Sequence, residues 1–198
     1  MSRINLKDYK KELRKAKINA REALTVEERT AYSSDICRRI TQTAEYRSAG
    51  VIFLYKYIKG EVRLDELEKA AAADGKTLVY PVCLGKTEMI AVRPGTDEDA
   101  WTAGVFGIKE PDLAKGEAVR PEDIDLVIAP CSSFGDKCRR LGMGGGYYDR
   151  YLPECTKARV IAVAYEVQRA DEIPMEEYDK PVDAVITVKT KYEQEKYG

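Results

Sequence analysis

Six short apolar segments alternate with helical patterns along this chain of 198 residues. The segments are residues 50–55, 77–81, 89–92, 124–130, 160–164 and 184–187. Apolar runs of this length are typical of strands that are buried on both faces. Strands that alternate with helices predict a single α/β domain over residues 1–198, with a mostly parallel sheet, helices on both faces and a Rossmann-like three-layer architecture. Ligands of such sheets bind beyond the carboxyl ends of the strands.

Two long helices are predicted before the first strand. Residues 5–24 form an amphipathic helix, because apolar side chains recur there at steps of three and four. Thr25 and Glu28 have the spacing of a capping box, so a second helix begins at Thr25 and runs to about Ala44. The first helix also carries a stripe of cations, Lys7, Lys10, Arg14, Lys17 and Arg21.

The segments between the later strands are assigned from their turn residues. Residues 64–74 are helical and end at Gly75. Residues 101–111 are predicted to be a loop and residues 131–139 an irregular stretch. A further helix begins near Tyr147.

Charge and composition exclude several classes of protein. Lys and Arg number 33 and Asp and Glu 34, which predicts neither a nucleic-acid nor a membrane partner. The five cysteines are dispersed and no apolar signal segment opens the chain, so we expect reduced thiols and a cytoplasmic location. Cys131 and Cys138 flank a loop, and we interpret them as unpaired thiols in preference to a metal or redox pair. The sequence has no histidine, which excludes a Ser-His-Asp triad and histidine metal ligands.

A glycine-rich segment, residues 140–150, carries the clearest chemical signal. Four of the 14 glycines lie between Gly142 and Gly146, where successive backbone N–H groups can form a nest for an anion. The helix near Tyr147 would add its positive end, and Arg140 its charge. Asp149 offers a carboxylate of the kind that holds Mg²⁺ near phosphate oxygens. Taken alone, the glycines fit a phosphate site or a tight structural turn equally well.

The same segment resembles the signature of the 5-formyltetrahydrofolate cyclo-ligase family, Arg-Leu-Gly-x-Gly-x-Gly-Tyr-Tyr-Asp. Other elements of that family occur in the same order along the chain. They are the Lys-x-x-Leu-Arg match at 10–14, Glu-Val at 61–62, Gly-Ile-x-Glu-Pro at 107–111, the Pro and Phe spacing of Pro130 and Phe134, and Pro-Val-Asp at 181–183.

The resemblance implies an enzyme that uses ATP and Mg²⁺ to convert 5-formyltetrahydrofolate to 5,10-methenyltetrahydrofolate. The formyl oxygen would be phosphorylated, and N10 would then attack the activated carbon as phosphate leaves. The implied partners are these small molecules, for a chain that acts as a monomer or a homodimer.

The resemblance also implies a role for individual residues. Those implied to be catalytic are Arg140 and Tyr148. Those implied to bind ATP are Lys10, Arg14, Arg140, Leu141, Gly142, Met143, Gly144, Gly145, Gly146, Tyr147 and Tyr148. Those implied to bind the folate are Leu54, Glu61, Phe106, Met143, Gly144, Gly145, Gly146 and Tyr147. Asp149 is implied to bind the metal. The second metal ligand stays open between Asp183, which we choose, and Asp179.

Each role has a simpler alternative. The cations of the first helix would otherwise be a solvated face, and Lys7, Lys17 and Arg21 keep that interpretation. Arg140 would otherwise form a surface ion pair, Asp149 would interact only with its own helix, and Glu61 would be an exposed loop residue. Leu54, Met143, Tyr147 and Phe106 would otherwise be core residues.

The chain departs from the family pattern at several positions. Gly135 replaces an Asp, Cys138 a Gly, Leu64 a Thr and Tyr178 a His, while Met143 and Gly145 replace basic residues of some relatives. The changes at Gly135, Cys138 and Tyr178 leave open a binding module without turnover. The glycine-rich segment would also suit an unrelated sugar-phosphate enzyme, which would leave the cationic first helix unexplained.

Overall fold

The structure, a computed structural model, describes residues 5–58, 60–97, 99–104, 107–176 and 179–194. Its helices are α1 Leu6–Glu22, α2 Val26–Thr41, α3 Ala44–Ser48, α4 Asp65–Ala73 and α5 Tyr147–Tyr151. Short 3₁₀ turns lie at Pro121–Asp123, Asp136–Cys138, Leu152–Glu154 and Glu166–Gln168. The strands are β1 Val51–Phe53, β2 Thr77–Leu84, β3 Glu88–Arg93, β4 Trp101–Ala103, β5 Lys109–Pro111, β6 Glu117–Val119, β7 Leu126–Pro130, β8 Ser133–Phe134, β9 Arg140–Leu141, β10 Arg159–Val163, β11 Ala184–Ile186 and β12 Lys191–Glu193. No helix in these ranges combines the length and the apolar character needed to cross a bilayer.

Eight of the strands form one sheet in the order β12-β11-β10-β7-β1-β2-β3-β6. The five central strands, from β11 to β2, run parallel to one another. At one edge β12 is antiparallel to β11. At the other edge β3 is antiparallel to β2, and β6 is antiparallel to β3. The predicted α/β class with a mostly parallel sheet is therefore confirmed, with antiparallel strands added at both edges.

Alternate residues of the central strands supply two cores, one on each face of the sheet. Ile52 and Ile128 contribute to the core that α2, α3 and α4 cover. Phe53 and Val127 contribute to the other core, which is closed by Tyr151 of α5 and by irregular segments. Both faces are covered, but the regular helices are concentrated on one of them.

The predicted helix starts are confirmed by their caps. Asn5 accepts a hydrogen bond from the Lys7 N–H, and Thr25 and Glu28 form the capping box. The second helix ends at Thr41, earlier than predicted, because Thr43 caps the separate helix α3.

The prediction of a loop over residues 101–111 is wrong in part. β4 and β5 pair there as a short antiparallel hairpin. Each strand has only three residues, too few to show a recognisable alternation of apolar and polar residues in the sequence. The irregular stretch 131–139 likewise contains β8, which pairs with β9 of the glycine-rich segment. The edge strands β6 and β12 were also missed.

We expect Ile128→Ala to lower the free energy of unfolding by about 2–5 kcal/mol, because it leaves a cavity in a central strand. Ile128 is fully buried. Urea unfolding measures the change. Leu113→Ala is the control, since Leu113 is 51% exposed and its truncation should change stability little. Equal losses in the two variants would contradict this description of the core.

Candidate functional site

A cavity of about 430 Å³ lies beyond the carboxyl ends of β1, β2 and β7. This size is typical of a pocket for a small organic ligand. Its wall is largely apolar, with a few charged groups. The lining residues are Tyr55, Lys56, Ile58, Glu61, Pro81, Cys83, Met89, Ile108, Lys109, Glu110, Pro130, Arg140, Gly142, Met143, Gly145, Gly146, Tyr147, Tyr148 and Asp149.

The glycine loop, residues 142–146, forms one side of this cavity. Gly144 and Gly146 have φ values of +103° and +67°, which residues with a side chain rarely adopt. The backbone N–H groups of residues 143–146 donate to no group in the described chain. A loop with several unused N–H groups is a ready site for an anion. Helix α5 contributes less than predicted, because with five residues it aligns few peptide dipoles.

The loop is anchored at its start by backbone carbonyl groups. The Ser132 hydroxyl lies 2.8 Å from the Leu141 oxygen and 3.2 Å from the Gly142 oxygen, and donates toward both. The Leu141 side chain is buried, and Leu141 lies in β9 outside the cavity wall. Leu141 therefore supports the loop. Gly142, Met143, Gly145 and Gly146 line the cavity, whereas Gly144 lies against Arg14.

Of the two α1 cations predicted to bind ATP, Arg14 contacts the glycine loop, whereas Lys10 contacts carboxylates of the 176–179 segment and no residue of the loop. Arg14 Nε donates to the Gly142 oxygen at 2.8 Å, and a Cβ atom at Gly144 would lie 3.5 Å from the Arg14 guanidinium carbon. The Lys10 ammonium is buried and pairs with Asp179 and with Glu176, the latter at 2.6 Å. Neither cation belongs to a solvated face, whereas Lys7 is exposed as predicted.

Arg140 holds a buried position between the strand edge and α5. Its Nη2 donates to Asp149 Oδ1 at 2.8 Å and its Nη1 to the Pro130 oxygen at 3.2 Å. Arg140 Nε and the Tyr148 hydroxyl are both buried and have no hydrogen-bond partner among the described residues. Burial raises the pKa of Tyr148 well above its usual range, so its hydroxyl stays a donor. Buried donors usually have an acceptor, so these two are candidates for contact with a molecule bound in the cavity.

The two predicted metal ligands are not brought together. Asp183 precedes β11 and lies at the amino edge of the sheet, opposite the cavity, where it binds Arg159 and the Val160 N–H. Asp149 lines the cavity, with one carboxylate oxygen on Arg140. The described chain contains no cluster of three metal-binding side chains. A single carboxylate still suits Mg²⁺, which keeps several waters and is commonly held by one or two carboxylates together with phosphate oxygens.

Glu61 is a buried carboxylate of the cavity, 7% exposed, and not an ordinary loop glutamate. Its Oε2 accepts the Ile58 N–H at 3.1 Å, and its Oε1 lies 3.7 Å from Arg21 Nη1. Burial raises the pKa of Glu61, and the Ile58 N–H and Arg21 oppose this rise. Arg21 was assigned to the solvated face, but it is 1% exposed. Nothing in the cationic stripe distinguished it from its neighbours.

The predicted apolar contacts divide into wall and core. Met143 and Tyr147 line the cavity, and the Tyr147 hydroxyl donates to the Gly85 oxygen at 2.9 Å. Leu54 belongs to the fully buried core and not to the wall, where the next residue, Tyr55, takes its place. Phe106 and Tyr178 lie outside the described residues.

Sequence reasoning assigned no role to two further polar residues of the wall. The Lys56 ammonium lies 4.7 Å from the ring centres of both Tyr80 and Trp101, and it pairs with Glu68 at 2.7 Å. Glu110 is 6% exposed and comes from the β4–β5 hairpin. It stands within the Gly107–Pro111 motif, whose spacing gave no indication that its carboxyl faces a cavity.

The fold and the cavity together define an α/β protein with a ligand site at the carboxyl edge of a parallel sheet, where an anion-binding loop adjoins an apolar pocket. The sequence pattern of the 5-formyltetrahydrofolate cyclo-ligase family matches residues 6–188, and the chain belongs to this family. It is therefore an enzyme of the cyclo-ligase class.

Similar proteins of known structure or activity cover nearly the whole chain. A 5,10-methenyltetrahydrofolate synthetase from Aquifex aeolicus superposes with a TM-score of 0.81 at 33% identity, over 96% of this chain and 94% of that one. A second one, from Mycoplasma pneumoniae, has a TM-score of 0.74 at 27% identity, over 90% of this chain and 98% of that one. The mouse 5-formyltetrahydrofolate cyclo-ligase is 27% identical over 94% of this chain and 97% of its own length.

We expect Arg21→Met to lower the free energy of unfolding by about 3–5 kcal/mol, because it leaves Glu61 buried beside no cation. Urea unfolding again measures the change. Arg38→Met is the matched control, since Arg38 and its partner Asp35 are largely exposed and such pairs contribute about 0–1 kcal/mol. If Arg21→Met were no more destabilising than Arg38→Met, the buried pair would not support the site.

Proposed function

We propose that this chain converts 5-formyltetrahydrofolate to 5,10-methenyltetrahydrofolate with ATP and Mg²⁺, releasing ADP and phosphate. One observation carries the proposal. A loop with unused N–H groups and two nearby arginines adjoins, within the same cavity wall, an apolar pocket that contains buried carboxyl groups. The loop and its arginines suit a polyphosphate. The apolar pocket with its carboxyl groups suits a flat ring system that bears N–H donors.

The ATP phosphates are assigned to the glycine loop. The N–H groups of Met143, Gly144, Gly145 and Gly146 supply donors at fixed positions, and Arg14 and Arg140 supply charge. Lys10 is assigned to the same phosphates, which requires it to leave Glu176 or Asp179 when the nucleotide binds. Tyr147 and Tyr148 follow the loop directly and close its side of the cavity.

The folate ring is assigned to the apolar part of the cavity. Tyr55, Met143 and Tyr147 provide flat or flexible apolar surface for the pterin. Glu61 accepts hydrogen bonds from the 2-amino group and the neighbouring ring N–H, since a carboxylate offers two parallel acceptors to such an edge. The cation that keeps Glu61 suited to this role is Arg21.

The reaction needs alignment and charge neutralisation more than a strong base. The unpartnered Arg140 Nε and the Tyr148 hydroxyl are placed to donate to oxygen atoms that gain negative charge as the γ-phosphate moves to the formyl oxygen. Mg²⁺, when bound, would neutralise phosphate charge from the side of Asp149. The apolar wall excludes water, so that N10 and not water attacks the activated carbon.

Two of the departures from the family pattern, Gly135 and Cys138, give no support to a binding module without turnover. Gly135 packs against Ile173, where a Cβ atom would lie 2.9 Å from a side-chain carbon. Cys138 is buried beside β12, and its thiol donates to the Tyr192 oxygen. Neither residue lines the cavity. The five free thiols, four of them buried, are consistent with the cytoplasmic location that we also propose.

The proposal is tested by incubating the protein with 5-formyltetrahydrofolate and Mg-ATP and recording the absorbance of the methenyl product. We expect turnover that requires both substrates. Tight binding of both without product would contradict the proposal and favour the binding module.

We expect Arg14→Ala and Arg140→Ala each to raise the KM for ATP about tenfold to a hundredfold, because each removes a charge-assisted contact to phosphate. Steady-state kinetics at saturating folate measure this. Lys7→Ala is the control on the same helix and should leave the KM unchanged, since Lys7 is exposed. Normal ATP kinetics in both arginine variants would refute the phosphate assignment while leaving the reaction itself intact.

A further inference from the structure

The Glu110 carboxyl lies in the cavity wall, in space that a glycine leaves open. It lies on β5 of the β4–β5 hairpin and lines the cavity. A Cβ atom at Gly104, the residue after β4, would lie 2.1 Å from the Glu110 carboxyl carbon. Only a glycine at that position lets the carboxyl occupy its place, so the hairpin presents this group to the cavity.

Glu110 differs from the other carboxyl groups of the wall because it has no cation beside it. Glu61 faces Arg21 and Asp149 pairs with Arg140. In the described chain no lysine or arginine lies within ion-pair distance of Glu110. Its polar contacts are with Cys83 of β2, whose N–H lies 3.4 Å from Glu110 Oε2. Such surroundings disfavour the ionised carboxylate more than water does.

The other charged and titratable groups around the cavity do not offset the burial of the Glu110 carboxyl. Burial raises the pKa of Glu110, and hydrogen bonds from Cys83 oppose the rise. Burial also raises the pKa of the Cys83 thiol, to about 11, so that it remains neutral. The remaining charged or phenolic groups of the wall are Tyr55, Lys56, Glu61, Lys109, Arg140, Tyr147, Tyr148 and Asp149. None of the cations among them forms an ion pair with Glu110.

A neutral carboxyl has one O–H donor and one carbonyl acceptor side by side. That pair complements a ring edge on which an acceptor nitrogen stands next to an N–H, as N1 and N8–H do in a reduced pterin. An ionised carboxylate complements an edge with two donors instead. Two carboxyl groups in different charge states can therefore read two different edges of one ring.

We propose that Glu110 is a specificity residue that binds the folate as a neutral acid, donating to N1 and accepting from N8–H. This inference rests on the proposed function, because it takes a reduced pterin as the ligand. Glutamine offers the same donor and acceptor, so Glu110→Gln should keep the affinity. Glu110→Met fills similar space without either group and should weaken binding of 5-formyltetrahydrofolate about tenfold or more.

If Glu110 binds the folate as a neutral acid, binding must also be coupled to the uptake of a proton by Glu110. Above the pKa of the free protein's Glu110, which lies above the 4.5 usual for glutamate, the carboxyl is ionised and must gain a proton to bind. Affinity of the unchanged protein should therefore fall as the pH rises through this range. In Glu110→Gln the fall should be absent or reduced, since its amide does not titrate.

Calorimetry with 5-formyltetrahydrofolate, in buffers of different ionisation enthalpy, measures both affinity and proton uptake. We expect greater uptake by the unchanged protein than by Glu110→Gln, with similar affinity below the pKa. Glu117→Gln is the control, because Glu117 is exposed on β6 and should leave uptake unchanged.

Equal proton uptake by the unchanged protein and Glu110→Gln would overturn the inference, as would an unchanged affinity in Glu110→Met. Thermal unfolding checks that the variants fold. If Glu110→Met does not fold, the proton uptake of Glu110→Gln decides the question alone. If the unchanged protein bound no folate at all, the proposed function itself would fail. Folate turnover with no effect of Glu110 would reject only the present inference.

Discussion

The parallel pairing of β1 with β7 determines where everything else in the site lies. Ile52 pairs with Leu126 and Phe53 with Val127, so the two strands end at the same edge of the sheet. The segment after β1 brings Glu61, and the segment after β7 brings the glycine loop. These segments are far apart in sequence, and only the shared strand direction places them in one cavity.

Helix α1 joins the two halves of that cavity from outside the sheet. Arg14 binds the carbonyl of Gly142, and two turns later Arg21 faces Glu61. Since seven residues of helix span about 10 Å, one rigid element sets the spacing between the loop and the buried carboxylate. A first helix with this role needs buried cations, which explains why part of its charged stripe is not exposed to solvent.

Sequence was sufficient for features that depend on local pattern or strand direction. The alternation of apolar runs and helices predicted the class of fold, and Thr25 with Glu28 marked a helix start. Strand direction also shows why Asp183 could not join Asp149, since a residue that precedes a parallel strand lies at the amino edge. The sequence did not predict which individual polar residues are buried. Arg21 resembles Lys17 in sequence, and the position of Glu110 depends on a hairpin of two three-residue strands that carries no strong β pattern. Cys138 stands where the family pattern has a glycine. Its φ of +52° explains that glycine, but the backbone angle could not be predicted from the sequence.

The buried Arg140 Nε and Tyr148 hydroxyl have a consequence for the life of the protein in a cell. Buried donors that lack an acceptor cost free energy. If a ligand oxygen accepts from these donors, as we propose, that cost disappears, and ligand binding and folding are thermodynamically linked. Protein molecules without bound substrate would then unfold most readily, and proteases would degrade them first. The supply of substrate would in this way set not only how fast the enzyme works but how much of it persists.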